Sequence, residues 1–241
     1  MRYGIFSDVH SNVEAFESVI SALKKEKIDE YICGGDIVGY GAEPERSIEM
    51  TKEITDNVVS GNHDWGSIGL FDISSFNPFA MEAALWTERQ LKAAHKAYLK
   101  SLRPIYKDDN ITVVHGSLDE PEEFHYVFSE HEALETFGLM KTAICFIGHS
   151  HLPLIFRKTG RDIAVFRGNR VDIEKDASYI VNVGSVGQPR DGDPRACYAV
   201  FDTDKNYVEI KRAAYDIKKA QQKIRAAGLP PVLADRLSEG K

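Results

Sequence analysis

Cysteine is scarce and odd in number, with only Cys33, Cys145 and Cys197 in 241 residues. An odd count leaves at least one thiol unpaired, and no two of these have the close spacing of a zinc site. Each sits in an apolar, strand-like run (Tyr-Ile-Cys, Ala-Ile-Cys-Phe, Ala-Cys-Tyr), so all three are expected to be reduced core residues. That places the protein in the cytoplasm. Long apolar runs are missing too: none reaches the roughly 18 residues that read as a membrane span. The opening MRYGIFSDVHSN lacks a basic stretch followed by an apolar block, so no export leader is expected. Nor is there an excess of positive charge. The formal net charge of −7 argues against nucleic acid or an anionic membrane as a partner, though not against a small, locally positive site. Repeats, low-complexity tracts and linkers are absent, so residues 1–241 are read as one domain.

What is present is ordinary for a globular chain, 43% apolar and 28% charged. Tyr3 to Ser7 reads as a strand. Asn12 is placed to cap a helix whose apolar positions Val13, Phe16, Val19, Ile20 and Leu23 keep helical spacing. EYICGGD reads as the next strand, followed by a helix over Glu43 to Thr51 and a strand from Asn57 to Ser60. This alternation predicts an α/β fold with a mainly parallel sheet. The segment 77–101, with Asn77 as cap and Pro78 at the first helical position, reads as one long helical pattern inserted near the preceding motif. Strands are predicted over Ile111 to Val114 and Thr142 to Ile147. After His151 come five more, Leu154 to Arg157, Ile163 to Phe166, Tyr179 to Val183, Ala196 to Phe201 and Tyr207 to Lys211, read as a second, mixed or antiparallel sheet. The tail, 215–241, reads as two helical pieces broken at Gly228-Leu229-Pro230-Pro231, packing across the domain or forming a contact in a homo-oligomer.

Five polar clusters share one context, the end of an apolar strand: Asp8-Val9-His10, Gly35-Asp36, Gly61-Asn62-His63-Asp64, His115-Gly116 and Gly148-His149-Ser150-His151. Alone, each has a structural explanation, such as a turn aspartate, an Asx turn or a satisfied core histidine. Together they repeat the same chemistry at the end where the loops of parallel strands converge. Carboxylate, imidazole and one amide are ligands for a borderline divalent metal. In GHSHLP, alternate residues of an extended segment can aim His149 and His151 at one point.

In this order the five motifs resemble the calcineurin-like metallophosphoesterase superfamily, and GDIVGYG with VNVGSVGQPRDGDPRACY resembles its small bacterial and archaeal phosphoesterases. The resemblance implies a four-layer α/β/β/α sandwich, two mixed sheets packed face to face and flanked by helices, with the metal site at the carboxyl ends of the strands. It implies two divalent ions (manganese, iron, zinc or cobalt), one held by Asp8, His10, Asp36 and His151, the other by Asp36, Asn62, His115 and His149. Two dications against two carboxylates leave a formal surplus of about +2, which suits a phosphate. A shared hydroxide then attacks phosphorus.

His63 is implied as the donor of a proton to the leaving alkoxide. Asp64 is read as orienting its ring and keeping it cationic, with a loop-capping role as the alternative. Arg190, in the glycine-rich run 184–190, is a candidate for a substrate phosphate. Tyr40, Trp65 and Trp86 are candidates for stacking on a base, and His125 and His131 read as surface or packing residues. The implied function is a phosphodiesterase or a nucleotide or dinucleoside polyphosphate hydrolase. The alternatives are a protein serine/threonine phosphatase on the same chemistry and a non-catalytic binding or scaffold protein on the same fold.

Overall fold

The computed structural model describes residues 1–166 and 168–241. Strand β1 (Arg2–Phe6) leads into helix α1 (Val13–Lys25), where the Asn12 side chain accepts from the Ala15 N–H at 3.2 Å. Phe16, Val19 and Leu23 are fully buried along one face of α1. Burial of side chains this size stabilises each by about 1.5–3 kcal/mol. Strand β2 (Glu30–Cys33) and helix α2 (Pro44–Ile54) follow. The expected strand at 57–60 is reduced to single bridges, Val58 to Cys33 and Val59 to Arg103. The chain then winds into a short helix α3 (Asn62–Gly66).

The helical segment 77–101 is two helices. In α4 (Pro78–Gln90) the Asn77 Oδ1 accepts from the Phe79 and Ala80 N–H groups; α5 (Ala93–Ser101) follows after a break. The break falls at Leu91, whose backbone is extended and whose side chain is buried in a core cluster with Phe16 and Ile48. Tertiary burial ends α4 there, since no glycine or proline marks the place.

Strands β3 (Ile105–Lys107) and β4 (Ile111–Val114) precede helix α6 (Glu130–Leu139), whose capping box pairs Ser129 with Glu132. Then come β5 (Ile144–Ile147), β6 (Leu154–Thr159), β7 (Asp162–Phe166), β8 (Arg170–Asp172), β9 (Ser178–Asn182), β10 (Ala196–Asp202) and β11 (Tyr207–Ala213). Helices α7 (Ile217–Ala226) and α8 (Pro231–Asp235) close the chain on either side of the expected break.

The strands form two sheets, ordered β2-β1-β10-β11-β8 and β3-β4-β5-β9-β6-β7. The pairings β1–β2, β4–β5 and β5–β9 are parallel and the other six are antiparallel, so the sheets are mixed rather than mainly parallel. The strands after His151 do not make a sheet of their own: β6, β7 and β9 extend the sheet of β5, while β10 pairs with β1 and brings β11 and β8 with it. All seven residues of β10 are buried, as befits a strand with a neighbour on each side and a layer on each face.

Adjacent strand residues alternate between two cores. Cys197, Ala199 and Phe201 join Tyr3, Ile5, Phe146 and Val181 between the sheets, while Ala196, Tyr198 and Val200 pack with Phe16 and Leu23 of α1. Cys145 and Ile147 of β5 face the other way, toward Ala133 and Phe137 of α6. This is an α/β/β/α sandwich. The three thiols lie in three different clusters and are free. Among the described residues no helix is long and apolar enough to cross a membrane.

Candidate metal centre

Every residue expected to hold metal lies at the end of a strand or in the helical turn after Gly61, and all are buried. Asp8 and His10 follow β1, Asp36 follows β2, His115 follows β4, and His149 and His151 follow β5. Five of these seven residues hold left-handed backbone: Asp8 (φ 56°), His10 (φ 49°), Asp36 (φ 54°), His149 (φ 65°) and His151 (φ 61°). Asp and His tolerate this region better than most residues, yet each such residue costs of order 1–3 kcal/mol. So much strain in one place marks a functional site. Two glycines make room for the carboxylates: a Cβ on Gly61 would collide with the Asp36 side chain, and one on Gly148 with Ser7 and Asp8.

Two groups of ligand atoms form, each within 4.8 Å: Asp8, His10, Asp36 and His151; and Asp36, His115 and His149. Asp36 belongs to both. Its Oδ2 stands 3.5 Å from the His10 Nε2 and 3.2 Å from the His115 Nε2. Backbone carbonyls fix the tautomers. The Nδ1 of His10 bonds the Val38 carbonyl (3.0 Å), that of His151 the Gln188 carbonyl (2.6 Å) and that of His115 the Gly34 carbonyl (2.7 Å). A carbonyl only accepts, so each Nδ1 donates, and whichever of these rings is neutral has its lone pair turned inward at Nε2.

The buried Asp36 Oδ2, Asn62 Oδ1 and His115 Nε2 have no hydrogen-bond partner among the described residues. Such orphans are rare unless a ligand or ion satisfies them. Asn62 lies beside Asp36, since the next residue, His63, donates its N–H to Asp36 Oδ1 at 2.8 Å. These donors fit the expected pair of cations.

The electrostatics agree. Burial alone would raise both carboxyls, but the surrounding imidazoles, His151 beside Asp8 and His115 beside Asp36, hold both below the ordinary carboxylate range. Burial pushes His10, His149 and His151 down, keeping them neutral as metal ligands must be. His115 is the exception. Burial works against its charge, but Asp36 outweighs it and lifts the ring to about 9, a measure of how strongly the carboxylates draw positive charge.

The run 184–190 braces the centre from behind. Ser185 Oγ and the Gly187 N–H both donate to the Asp8 carbonyl (2.9 and 2.8 Å), and Gln188 orients His151. Asn182 spans Gly148 and Ser150, bonding the carbonyl of one (2.6 Å) and the hydroxyl of the other (2.9 Å).

The reading of Asp64 as the partner of His63 needs correction. Asp64 Oδ1 accepts from the Ile37 and Val38 N–H groups (2.9 and 3.1 Å), and Oδ2 from the Gly61 N–H (3.1 Å). The His63 Nδ1 has no partner among the described residues. Asp64 is the capping residue of α3. Burial raises it to about 7 and lowers His63 to about 4, so the free protein carries a neutral His63.

Arg190 donates to the Gln188 Oε1 (2.9 Å) and to the Tyr40 hydroxyl (3.3 Å), and no carboxylate pairs with it among the described residues. Tyr40 is a wall of the centre, its ring 4.7 Å from His10 and 4.4 Å from His63. Trp65 packs on Phe124 (5.6 Å) and Trp86 against the α4–α7 cluster, and neither lines the cavity beside the centre. His131 is exposed on α6. His125 is exposed, as expected of a surface residue, and it also lines the cavity beside the centre, as do Phe71, Phe76, Phe124 and Tyr126. Tyr126 stacks on His149 at 3.8 Å and 15°. No periodicity or motif marks these aromatics in the sequence.

The fold and this centre have counterparts. A family profile, the calcineurin-like phosphoesterase superfamily domain, matches residues 1–206. An uncharacterised protein of Methanocaldococcus jannaschii is 36% identical over 98% of this chain and 97% of its own. The crystal structure of a metallophosphoesterase from Sphaerobacter thermophilus is 42% identical with a TM-score of 0.88, covering 100% of this chain and 99% of that one. A hypothetical protein from Pyrococcus horikoshii OT3 shares the fold at 20% identity, with a TM-score of 0.80 over 100% of this chain and 98% of its own.

Proposed function

The chain belongs to the calcineurin-like phosphoesterase superfamily and is a metal-dependent phosphoester hydrolase, and from that premise we propose that it cleaves small phosphodiesters or nucleotides at a two-cation centre. Asp8, His10, Asp36 and His151 would hold one ion, and Asp36, Asn62, His115 and His149 the other. The observation that carries this is the membership of Asp36 in both ligand groups. A shared carboxylate is what two mutually repelling cations need between them. When bound, the ions supply Lewis acidity, lowering the pKa of a water toward neutrality and offsetting phosphoryl charge.

The chain's own residues do the rest. The carbonyls of Val38, Gln188 and Gly34 keep the imidazoles aimed without rearrangement. His63, packed between the tilted rings of Tyr40 and Phe76 (4.4 and 4.7 Å), is set to give a proton or hydrogen bond to the leaving oxygen. An anionic phosphoryl group beside the buried ring favours its protonation and offsets the burial that holds it neutral. Asp64 acts by fixing the turn that carries Asn62 and His63. Arg190, tethered to Tyr40, is placed to meet a phosphate oxygen.

The centre opens into a cavity of about 440 Å³ walled by Phe76 and Asn77 on one side and by Glu123 to Tyr126 on the other. That size suits a small molecule, and it counts against the wide groove that a protein phosphatase would use. Since every ligand position is filled, a scaffold role finds no support in the site. We read residues 1–241 as one unit, with 77–101 supplying a wall and 215–241 bracing Tyr40 through Leu233 and Leu237. The three buried free thiols suit a cytoplasmic protein.

The test is turnover by manganese-loaded protein of bis-p-nitrophenyl phosphate, nucleoside monophosphates, cyclic nucleotides, dinucleoside polyphosphates and phosphopeptides. Cleavage of diesters or nucleotides is expected. Turnover of phosphopeptides alone, or of nothing, would overturn the proposal.

A further inference from the structure

The cavity lies to one side of the centre. Asn62, His63 and His149 border it, while Asp8, His10, Asp36 and His151 do not. His63, set to serve the leaving oxygen, stands at its mouth, so the leaving group is what enters. Its inner surface is aromatic. Phe76 packs on His63, Phe71 meets Phe124 edge to face at 5.2 Å, and Tyr126 covers His149. Phe71 and Phe76 are only half-buried, so ring surface remains open to an occupant.

The segment 117–129 is held in place rather than loosely draped. Phe124 has φ 54°, and its backbone sits against Gly116, where a Cβ would lie 3.0 Å from the Phe124 carbonyl carbon. A bulky residue in left-handed backbone is retained only where the surroundings fix it.

The cavity also carries polar groups. Asn77 spends its Oδ1 on two backbone N–H groups of α4, which leaves its amide NH2 available. Ser75, Glu123 and His125 add a hydroxyl, a carboxylate and an imidazole. Flat aromatic walls with donors and acceptors on one chamber fit a planar heterocycle that bears both on its edge. An alkyl alcohol would leave the polar groups unpaired, and a polyol has no flat face to lay on the rings.

We infer that this chamber binds the base of a nucleoside on the leaving-group side of the scissile bond. The inference rests on the hydrolase reading above only for the direction of cleavage. In the reaction, the oxygen of water bonds to phosphorus, the bond from phosphorus to the nucleoside 5′ oxygen breaks, and that oxygen takes up a proton. The nucleoside departs and the phosphate keeps its other substituent.

The experiment uses the manganese-loaded full chain and two methyl phosphodiesters, one of adenosine and one of 2-methoxyethanol, an alcohol of similar acidity. A 2-phenoxyethyl ester, whose alcohol carries an aromatic ring at similar acidity, serves as a third substrate. The adenosine diester is expected to have the highest kcat/KM, by at least tenfold, and to yield adenosine and methyl phosphate. Phe71→Ala and the volume-keeping Phe71→Leu are each expected to lower the adenosine-to-methoxyethyl ratio at least fivefold. In parallel, free adenosine, guanosine, cytidine and uridine are titrated against the fluorescence of Trp65, which packs on the Phe124 wall, in a Trp86→Phe background. Saturable binding of at least one nucleoside is expected, weakened at least fivefold in both variants.

Turnover of all three esters at similar rates, or release of AMP and methanol, would overturn the chamber while leaving the hydrolase reading intact. A phenoxyethyl ester as good as the nucleoside would overturn the nucleobase assignment. Nucleoside binding without any turnover would support the chamber and remove the hydrolase reading. Absence of nucleoside binding would remove the chamber.

Discussion

The Nε2 atoms of His10 and His151 face each other at 3.0 Å, while the Nδ1 of each ring is bonded to a backbone carbonyl. Two inward lone pairs at that distance repel, and a shared cation turns the repulsion into coordination. Cation binding is therefore expected to stabilise the fold. An ion present at 100 times its Kd adds about 2.7 kcal/mol. Manganese or zinc should raise the melting temperature of the wild type, and Asp36→Asn, which removes the shared carboxylate charge, should abolish most of that rise. Equal rises in both proteins would show that the ions bind elsewhere.

His63 borders the centre without belonging to either ligand group. His63→Ala should keep the ion content of the wild type and lose turnover in proportion to the basicity of the leaving group. A positioned acid contributes typically about 10²–10⁴-fold. Kinetics on a series of aryl and alkyl diesters, with metal analysis, reads both quantities. Unchanged rates across the series would take His63 out of the mechanism.

Asp64 satisfies three backbone N–H groups in the turn that carries Asn62 and His63. Leaving such a buried donor unpaired costs about 1–3 kcal/mol. Asp64→Ala should be destabilised by several kcal/mol, with Asp64→Asn between it and the wild type. The leaving-group dependence of turnover in Asp64→Asn should match that of the wild type, because the side chain does not touch the His63 ring. Urea melts and the same ester series test this. A changed leaving-group slope with unaltered stability would restore Asp64 to the proton-transfer chain.

Helix α7 is tied to α1 by Glu14, whose buried carboxylate meets Lys219 at 3.1 Å and Lys223 at 2.5 Å. Burial would raise its pKa, but the two ammonium groups hold it below the ordinary 4.5. A carboxyl whose folded pKa is depressed adds stability above its unfolded value, and that contribution fades as pH falls through the folded one. Glu14→Gln should thus be less stable than the wild type at pH 7, and the gap should close as pH drops below about 4.5. Urea midpoints across pH 3–7 check it. A gap independent of pH would mean that the substitution acts by packing alone.

Much of this was legible in the sequence because strand-end motifs are local. Asp8, Asp36, His115 and His149 each follow a short apolar run, so the pattern that signals the strand also locates the candidate ligand. Asn12 and Asn77 announced their helices for the same reason. The rest depends on contacts distant in sequence. Which sheet β10 joins is set by its pairing with β1, nearly 200 residues away, and nothing within its seven residues reveals that. The division between α4 and α5 reflects burial of Leu91, and helix α6 shows only a thin apolar stripe beside its Ser129–Glu132 box. The cavity aromatics lie on irregular backbone with no period to read. Adjacency in sequence pairs Asp64 with its neighbour His63, whereas the helical turn sends the two side chains in different directions.

The most direct test is anomalous diffraction from crystals of the manganese-loaded protein. Two peaks are expected, roughly 3.5–4 Å apart, with Asp36 touching both, Asp8, His10 and His151 on one side, and Asn62, His115 and His149 on the other. A single peak, or peaks away from Asp36, would contradict the account.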